Sequence, residues 1–316
     1  MAGPASPSGT GAARPIVVIG AGAIGTALAL GLARAGHRVI LVARGARLAW
    51  LQANPAELVR EDGVLRAPLE VVGPDAAWTS DCVFLCTKAQ DLPGALAVVA
   101  PRLAPGGRVV TLQNGVEAPL QAASALPGAA ILAGRVHGFF EMDGPRARHV
   151  GVPPSVVMGG LAGASPADEQ RVRALFDAAG FACTVSPDIG RDLWEKMTLF
   201  ASLSLVGLAL ELPAGRICER TADEGLLRAA MREVVAVARA RGTALEGTVV
   251  DDLIAFVRRF PAEATTSLQR DHAAGLASEY DAVVGSLLRL AAAAGTRVPT
   301  FTRLDAAIAA GTGRGA

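Results

Sequence analysis

The sequence predicts an α/β domain followed by an all-helical domain, and three observations carry this prediction. Residues Ile16–Ile19 form a short β-branched apolar run, which is typical of a fully buried strand. A glycine-rich turn and an apolar helix pattern follow that run directly. After Asp188 the apolar residues recur at helical spacing, and the 316 residues are enough for two domains of ordinary size.

The turn after the first strand contains three glycines in the order G-x-G-x-x-G. Gly20 allows a tight bend, Gly22 lets a pyrophosphate approach the backbone, and Gly25 lets the helix pack close to the strand. The free N–H groups of the helix N-terminus face the same anion. Because a strand precedes the motif and a helix follows it, we predict a Rossmann-type dinucleotide-binding domain for a nicotinamide or flavin nucleotide. Ala23 and Ile24 belong to the same site.

The second strand, residues 39–43, is expected to end beside the adenosine ribose of the nucleotide. A carboxylate at this point accepts the 2′-hydroxyl of NAD, whereas a cation accommodates the 2′-phosphate of NADP. This chain has Arg44 there, with Arg47 close by and no acidic residue. We therefore expect NADPH in preference to NADH. The simpler interpretation of Arg44 is an exposed surface arginine.

Two later strands also end in polar residues. Residues 81–87 form a buried strand that ends in Lys88, which we expect to contact phosphate or ribose unless it is simply exposed. The strand over 107–112 runs into Gln113, Asn114 and a glycine. Such a sequence is first of all a turn, but Asn114 would lie over the nicotinamide end of the crevice.

The remaining elements predict where the two domains meet. After residue 129 short strands suggest hairpins added to the parallel sheet, at 131–136, 148–150 and 155–158. A helix with a capping box at Ser165 and a strand over 181–185 complete the first domain. Four helices are then expected, over 189–210, 222–241, 248–260 and 271–294. We predict a disordered tail over 1–14, a dinucleotide-binding domain over 15–188 and a helical substrate domain over 189–316.

Composition and charge exclude several classes of protein. The net charge is +1 at pH 7, so no basic field indicates a nucleic-acid partner. The longest apolar run, residues 197–210, is shorter than the roughly 20 residues that cross a bilayer, so no membrane partner is expected. The spacing of the cysteines and histidines indicates no metal site and a reducing cytoplasm; these residues are Cys82, Cys86, Cys183, Cys218, His37, His137, His149 and His272.

Two stretches of the helical half could supply chemistry to a nicotinamide enzyme, which needs a proton donor and groups that orient the substrate. Lys196 begins a helix just after the domain boundary and could point into the cleft between the domains. Residues 265–271, followed by 278–280, bring hydroxyl, carboxylate and basic groups together. The simpler interpretations are a solvated lysine and a helix N-terminus with hydroxyl caps.

Taken together, the ordered motifs make the chain resemble the ketopantoate reductase (2-dehydropantoate 2-reductase) family. The matching residues are GAGAIG at 20–25, Arg44, CTKA at 86–89, QNG at 113–115, LWEK at 193–196, SLQRD at 267–271 and SEYD at 278–281. The resemblance implies a cytoplasmic oxidoreductase of pantothenate biosynthesis, in which NADPH and a small 2-oxo acid meet in the interdomain cleft. The reaction it implies first is the reduction of ketopantoate to pantoate.

The same resemblance implies a role for each site residue. Lys196 matches the general acid that supplies the proton as the ketone oxygen gains negative charge. Glu279 matches the acid that engages the substrate and the lysine, and Asn114 matches the asparagine between nicotinamide and substrate. Ser267 matches the serine expected to bind the substrate carboxylate. The matched cofactor contacts are Arg44 and Lys88.

The chain departs from the family where specificity is set. The ketopantoate enzymes place asparagines one and two turns after the lysine, and this chain has Phe200 and Ser204 at those substrate-facing positions. A 2-oxo acid without the terminal hydroxyl, or with a larger apolar group, is therefore an alternative substrate. Another ketone or a 3-hydroxy acid, and a non-catalytic nucleotide-binding protein, stay open as further alternatives. The sequence also leaves open whether the chain forms a homodimer.

Overall fold

The computed structural model describes residues 14–311 except 274 and 276–278. The predicted tail over 1–14 lies outside the described residues, apart from Arg14. The sheet-bearing part contains, in chain order, β1 (Ile16–Ile19), α1 (Ala23–Arg34), β2 (Val39–Val42), α2 (Gly45–Ala53), β3 (Leu58–Arg60), β4 (Gly63–Leu65), β5 (Glu70–Val72), β6 (Ser80–Leu85), α3 (Leu92–Val99), β7 (Leu103–Thr111), α4 (Ala118–Ala125), β8 (Ala130–Asp143), β9 (Arg146–Gly160), α5 (Pro166–Ala178) and β10 (Ala182–Val185).

These ten strands form one mixed sheet. Its order is β4-β3-β9-β8-β7-β6-β1-β2-β5, and β10 pairs with β9 beside this path. The pairs from β5 to β8 are all parallel. Every residue of β1 and β2 is buried, as expected for strands that are covered on both faces. The parallel strands therefore bring their carboxyl ends to one edge, where ligands bind in this kind of sheet.

The hairpin region differs from the predicted set of short strands. The runs at 148–150 and 155–158 both belong to β9, which pairs antiparallel with β8 along almost its whole length. The register shifts between His137 and Phe139 on β8, and the ladder continues on both sides of the shift. Gly138 alone faces residues 151–154 of β9, so this bulge accommodates three extra residues without ending either strand. The chain after α2 also forms a hairpin, β3 and β4.

The second part of the chain is helical. It consists of α6 (Ile189–Ala209), α7 (Thr221–Ala240), α8 (Val249–Val257), α9 (Ser267–Ala273), a π-helical turn at Asp281–Gly285, α10 (Ser286–Ala293) and α11 (Pro299–Ala309). The expected helix over 271–294 is wrong as a single element. Gly275 has φ +64° and its N–H bonds to the carbonyl of His272, so the chain takes the left-handed conformation that ends helices. Among the described residues that follow, helical structure begins at Tyr280.

Helix α6 connects the two parts. It begins four residues after β10 ends, and the predicted domain boundary at 188/189 lies between these elements. One face buries Trp194, Met197 and Ala201 in the helical core. The helix also contacts β8 and β9 of the sheet. Its remaining face therefore lies toward the carboxyl edge of the sheet. Within the described ranges, no helix combines the length and the apolar character that a bilayer crossing requires.

The close contact between α1 and α5 gives a test of the packing. A Cβ at Gly31 would lie 2.2 Å from the carbonyl oxygen of Ala179, which is backbone and cannot move aside easily. We expect Gly31→Ala to lower the free energy of unfolding by about 1–3 kcal/mol, because overpacking outweighs the better helix propensity of alanine. The measurement is urea unfolding followed by circular dichroism.

Gly225→Ala in α7 is the matched control. No described atom lies within 4 Å of a Cβ at this exposed helical position, so alanine should stabilise the protein by about 0.5–1 kcal/mol. Equal free energies of unfolding for the two variants would contradict the tight contact between α1 and α5.

Candidate active site

The glycine turn has the shape that its sequence demands. Gly20 has φ +107°, and a Cβ there would lie 2.7 Å from the backbone of Cys86 and Thr87 at the end of β6. A Cβ at Gly25 would lie 1.9 Å from the carbonyl oxygen of Gly20. At Gly22 no described atom lies within 4 Å of such a Cβ, so this side of the turn is open. Two glycines are needed for packing and the third leaves room for a ligand.

The N-terminus of α1 opens onto the same space. Gly22 is its N-cap and provides no side chain to cap the first N–H groups, and the first turn, which includes Ala23 and Ile24, carries no acidic residue. Uncapped N–H groups and the positive end of the helix dipole together favour a bound anion. The turn and the helix end therefore fit the pyrophosphate of a dinucleotide.

A cleft of about 630 Å³ extends from this turn, which is within the usual size of small-molecule sites. Three cationic side chains lie on it. Arg44 pairs with Asp91 at 2.5 Å and its side chain is 71% exposed, and Lys88 pairs with Asp271 of α9 at 3.3 Å. Arg47 turns inward and donates to the carbonyl of Ala21 at 2.9 Å. This cationic lining fits the extra phosphate of NADP.

Met142 and Gln113 also contribute, and the sequence reasoning assigned neither of them a role. Met142 reaches the cleft from the tip of the β8–β9 hairpin, a placement that no sequence pattern indicates. Gln113 is buried and its Nε2 donates to the carbonyls of Leu85 and Thr87 at 3.1 and 3.2 Å. It therefore holds the end of β6 beside Gly20. In the sequence, the sign of this role is that Gln113 directly precedes Asn114.

Beside the cleft, next to Lys88, three distant segments meet in a chain of hydrogen bonds. Lys196 Nζ, on α6, donates to Asn114 Oδ1 at 2.9 Å. Asn114 Nδ2, on the loop after β7, donates to Glu279 Oε2 at 2.9 Å. Glu279 Oε1 accepts from the backbone N–H of Ala89 at 3.4 Å. Since an ammonium can only donate and a carboxylate can only accept, the orientation of the Asn114 amide is determined.

The protonation of Lys196 is strongly affected by its surroundings. Burial lowers the pKa of Lys196 to about 8, and the positive charge of nearby Arg135 acts in the same direction. The carboxylate of Glu279 opposes both effects and raises the pKa. An ammonium whose pKa lies near the working pH can give up a proton readily, so the group is suited to general acid catalysis.

The substrate-facing positions differ in where they lie. Phe200, one turn after Lys196, is half-buried and packs against the helical core. Ser204 is fully buried and donates to Thr266 Oγ1 at 2.9 Å, so its hydroxyl is engaged away from the Lys196 chain. Ser267 is the first residue of α9, the helix that carries the partner of Lys88. Ser278 lies outside the described residues.

Arg135 is the cation that the sequence reasoning missed. It lies on β8, donates from Nε to His137 Nε2 at 3.0 Å and from Nη1 to the carbonyl of Asp192 at 3.4 Å. Burial, Arg135 and Lys196 lower the pKa of His137, which favours the neutral ring that accepts this bond. In sequence Arg135 is one arginine among many in an otherwise apolar strand. Across the part of the chain that the structure describes, no cluster of three potential metal ligands occurs.

Comparisons with known proteins agree with this geometry. The family model described as "Ketopantoate reductase PanE/ApbA" matches residues 16–163, and the one described as its C terminal matches 188–311. The structure of a PanE/ApbA family ketopantoate reductase from Ralstonia eutropha JMP134 is similar, with a TM-score of 0.81, 30% identity and coverage of 93% of this chain and 97% of that one.

Two curated relatives are similar along nearly their whole length. A 2-dehydropantoate 2-reductase from Mycobacterium tuberculosis is 30% identical, over 90% of this chain and 93% of its own. A glycerol-3-phosphate dehydrogenase (NAD(P)+) from a Bradyrhizobium strain is 34% identical, over 93% of this chain and 92% of its own. The two family models together cover both halves of the chain. The chain therefore belongs to the ketopantoate reductase family of NADP-dependent oxidoreductases, which act on a CH–OH/ketone pair.

Proposed function

We propose that the chain reduces a 2-oxo acid to a 2-hydroxy acid with NADPH, and that the reduction of ketopantoate to pantoate is the leading candidate reaction. The observation that carries this proposal is the Lys196–Asn114–Glu279 chain, which is bonded to Ala89 directly beside the cleft of the glycine turn. A ketone reductase needs a nucleotide site next to a proton donor, and these residues supply both.

The cofactor supplies the hydride to the ketone carbon when it is bound. Lys196 donates the proton to the ketone oxygen and stabilises the negative charge that develops there. Asn114 holds the ammonium through its Oδ1, at 2.9 Å, and so fixes the direction in which the proton leaves. Glu279 keeps Lys196 protonated near neutral pH, because its charge opposes the effect of burial on the pKa.

The cofactor contacts are assigned to the glycine turn and two cations. Gly20, Gly22, Ala23, Ile24 and Gly25 would hold the pyrophosphate, since the turn is open at Gly22 and the helix end is uncapped. Arg44 and Lys88 would contact the phosphates and ribose, and Asn114 would lie beside the nicotinamide. Arg44 would exchange Asp91 for the 2′-phosphate, which is favoured by its exposed position.

A second candidate substrate is a 2-oxo acid with an apolar side chain in place of the terminal hydroxyl group. Phe200 presents an aromatic ring one turn from Lys196, where the ketopantoate enzymes have an amide. Ser204 is already bonded to Thr266 and leaves no free polar group at the next turn. Ser267 remains the proposed hydroxyl contact to the substrate carboxylate. A phosphorylated ketone fits less well, because both family models match as ketopantoate reductase.

We further propose that the protein works in a reducing cytoplasm and forms a homodimer. The four cysteines are all free thiols, which suits a reducing compartment. Two apolar side chains on the β8–β9 hairpin are strongly exposed, Phe139 at 60% and Val152 at 59%. Exposed apolar groups of this size are typical of contact surfaces, and a second copy would cover them.

The role of Lys196 is tested by replacing its ammonium group. We expect Lys196→Ala to lower kcat by about 10²–10⁴-fold on the best 2-oxo acid, because general acid catalysis contributes that much. Lys196→Arg should be nearly as slow, since a guanidinium keeps the charge but does not release a proton at this pH. NADPH affinity, measured by fluorescence, should stay unchanged in both variants. Full turnover by Lys196→Ala would overturn the assignment, and Glu195→Gln serves as the neighbouring control.

The pH profile tests the pair formed by Lys196 and Glu279. With its pKa near 8, Lys196 loses its proton as the pH rises, so kcat should fall through about pH 8. Glu279→Gln removes the group that raises this pKa, so the fall should move to lower pH. The measurement is kcat at saturating substrate between pH 6 and pH 10. A fall at the same pH in both proteins would contradict the coupling.

Cofactor choice tests Arg44. Arg44→Gln should weaken NADPH binding by about 10- to 100-fold and leave NADH nearly unchanged, because only NADPH has the 2′-phosphate that loses a charged hydrogen bond. Dissociation constants of both cofactors can be measured by fluorescence. Arg38→Gln is the control, since this exposed arginine lies at the opposite end of β2. An equal loss for both cofactors would mean that Arg44 does not contact the phosphate.

A further inference from the structure

Arg135 lies at the same edge of the sheet as Asn114. The last parallel pair between β7 and β8 joins Thr111 to Ala133. Asn114 is three residues beyond Thr111, and Arg135 is two residues beyond Ala133. Neighbouring parallel strands therefore bring both residues to the same edge of the sheet, where each forms a hydrogen bond with helix α6. Burial is the main cause that lowers the pKa of Lys196, and Arg135 is close enough for its positive charge to lower that pKa further.

The guanidinium of Arg135 is fixed in place without a counter-charge. Its two hydrogen bonds go to His137 and to the backbone carbonyl of Asp192, and neither acceptor is anionic. No carboxylate of the described residues lies within 4 Å of it. Of its five N–H donors, three have no partner in the described part of the chain. A half-buried arginine with free donors and no counter-charge is able to accept a bound anion.

The face of α6 that runs past Arg135 carries three functional positions in line. Asp192, Lys196 and Phe200 are spaced four residues apart, which places them on one face with steps of about 6 Å. Arg135 is bonded to the carbonyl of Asp192. Along the helix, the proposed proton donor Lys196 comes one turn later, and the ring of Phe200 comes one turn after that. A 2-oxo acid has the same order of groups, because its ketone lies between the carboxylate and the side chain.

We propose that Arg135 binds the carboxylate of the 2-oxo acid substrate while Phe200 contacts an apolar substrate side chain. This inference rests on the proposed function and names the substrate class of the same site. The planar fork of an arginine suits a carboxylate, with two parallel hydrogen bonds. The ketone oxygen then lies at Lys196, and the apolar side chain meets the ring in place of the amide that the ketopantoate enzymes use. Arg135 is the specificity-determining residue for an acid rather than a neutral ketone.

The experiment compares a 2-oxo acid with its own methyl ester. The probes are 4-methyl-2-oxopentanoate and methyl 4-methyl-2-oxopentanoate, which differ only in the charge at the carboxyl group. In the wild-type protein KM for the acid should be about 10- to 100-fold lower than for the ester. Arg135→Gln should raise KM for the acid by the same factor and leave the ester unchanged. Arg135→Lys should recover part of the difference, because it restores the charge without the fork.

Arg148→Gln is the matched control, since it removes an arginine of the adjacent strand β9 that is paired with exposed Glu141. It should leave both KM values unchanged. An equal rise of KM for acid and ester in Arg135→Gln would overturn the proposal, because Arg135 would then act only through the structure. If that variant does not fold, the wild-type ratio decides the question, and equal KM values for acid and ester would overturn the proposal.

A binding measurement separates this inference from the proposed function. An N-alkyl oxamate carries the carboxylate but cannot be reduced, and its binding to the NADPH complex can be followed by cofactor fluorescence. If no 2-oxo acid is reduced while the oxamate binds to wild type and about tenfold or more weakly to Arg135→Gln, the proposed reaction fails and the carboxylate site stands. If 2-oxo acids are reduced and the oxamate binds equally to both proteins, the reaction stands and the role of Arg135 fails.

Discussion

The site depends on one side-chain amide that connects two charges of opposite sign. Asn114 accepts from Lys196 and donates to Glu279, each at 2.9 Å, so it joins the sheet edge to two segments of the helical part. An amide can do this because it carries an acceptor and a donor on the same plane, whereas a carboxylate or an ammonium carries only one kind. Hydrogen bonds to ionised groups are also stronger than neutral ones. The relative position of the two parts of the chain is therefore fixed by chemistry as well as by packing.

Helix α6 makes this connection because its two faces differ. Trp194, Met197 and Ala201 are buried in the helical core, and this burial fixes how the helix is rotated. Lys196 then lies on the side of the helix that faces Asn114 at the sheet edge. The low polarity that burial creates around the ammonium is the same property that lowers its pKa to about 8. The burial that packs this helix therefore also lowers the pKa of its lysine.

The sequence predicts what is local and misses what depends on distant neighbours. The glycine turn, the buried strands and helix α6 follow from short patterns whose physical meaning does not depend on context. The helix expected over 271–294 fails because Gly275 takes a left-handed conformation, and an apolar periodicity does not contain that information. Arg135 is missed for another reason. No carboxylate of the described residues pairs with its guanidinium. A single sequence does not show which charged side chains lie far apart in the folded chain.

The chain has only two lysines, Lys88 and Lys196, among its 30 lysine and arginine residues. Lys88 lines the cleft, and Lys196 belongs to the adjacent hydrogen-bonded chain. Arginine stays charged at any working pH, so nearly all of the positive charge of lysine and arginine side chains is insensitive to proton concentration. Primary amines of side chains are thus confined to this region of the protein. Reductive methylation with carbon-13 would place an isotopic label at these two side chains and at the chain's amino terminus. Nuclear magnetic resonance could then observe Lys88 and Lys196 separately, without any substitution in the protein.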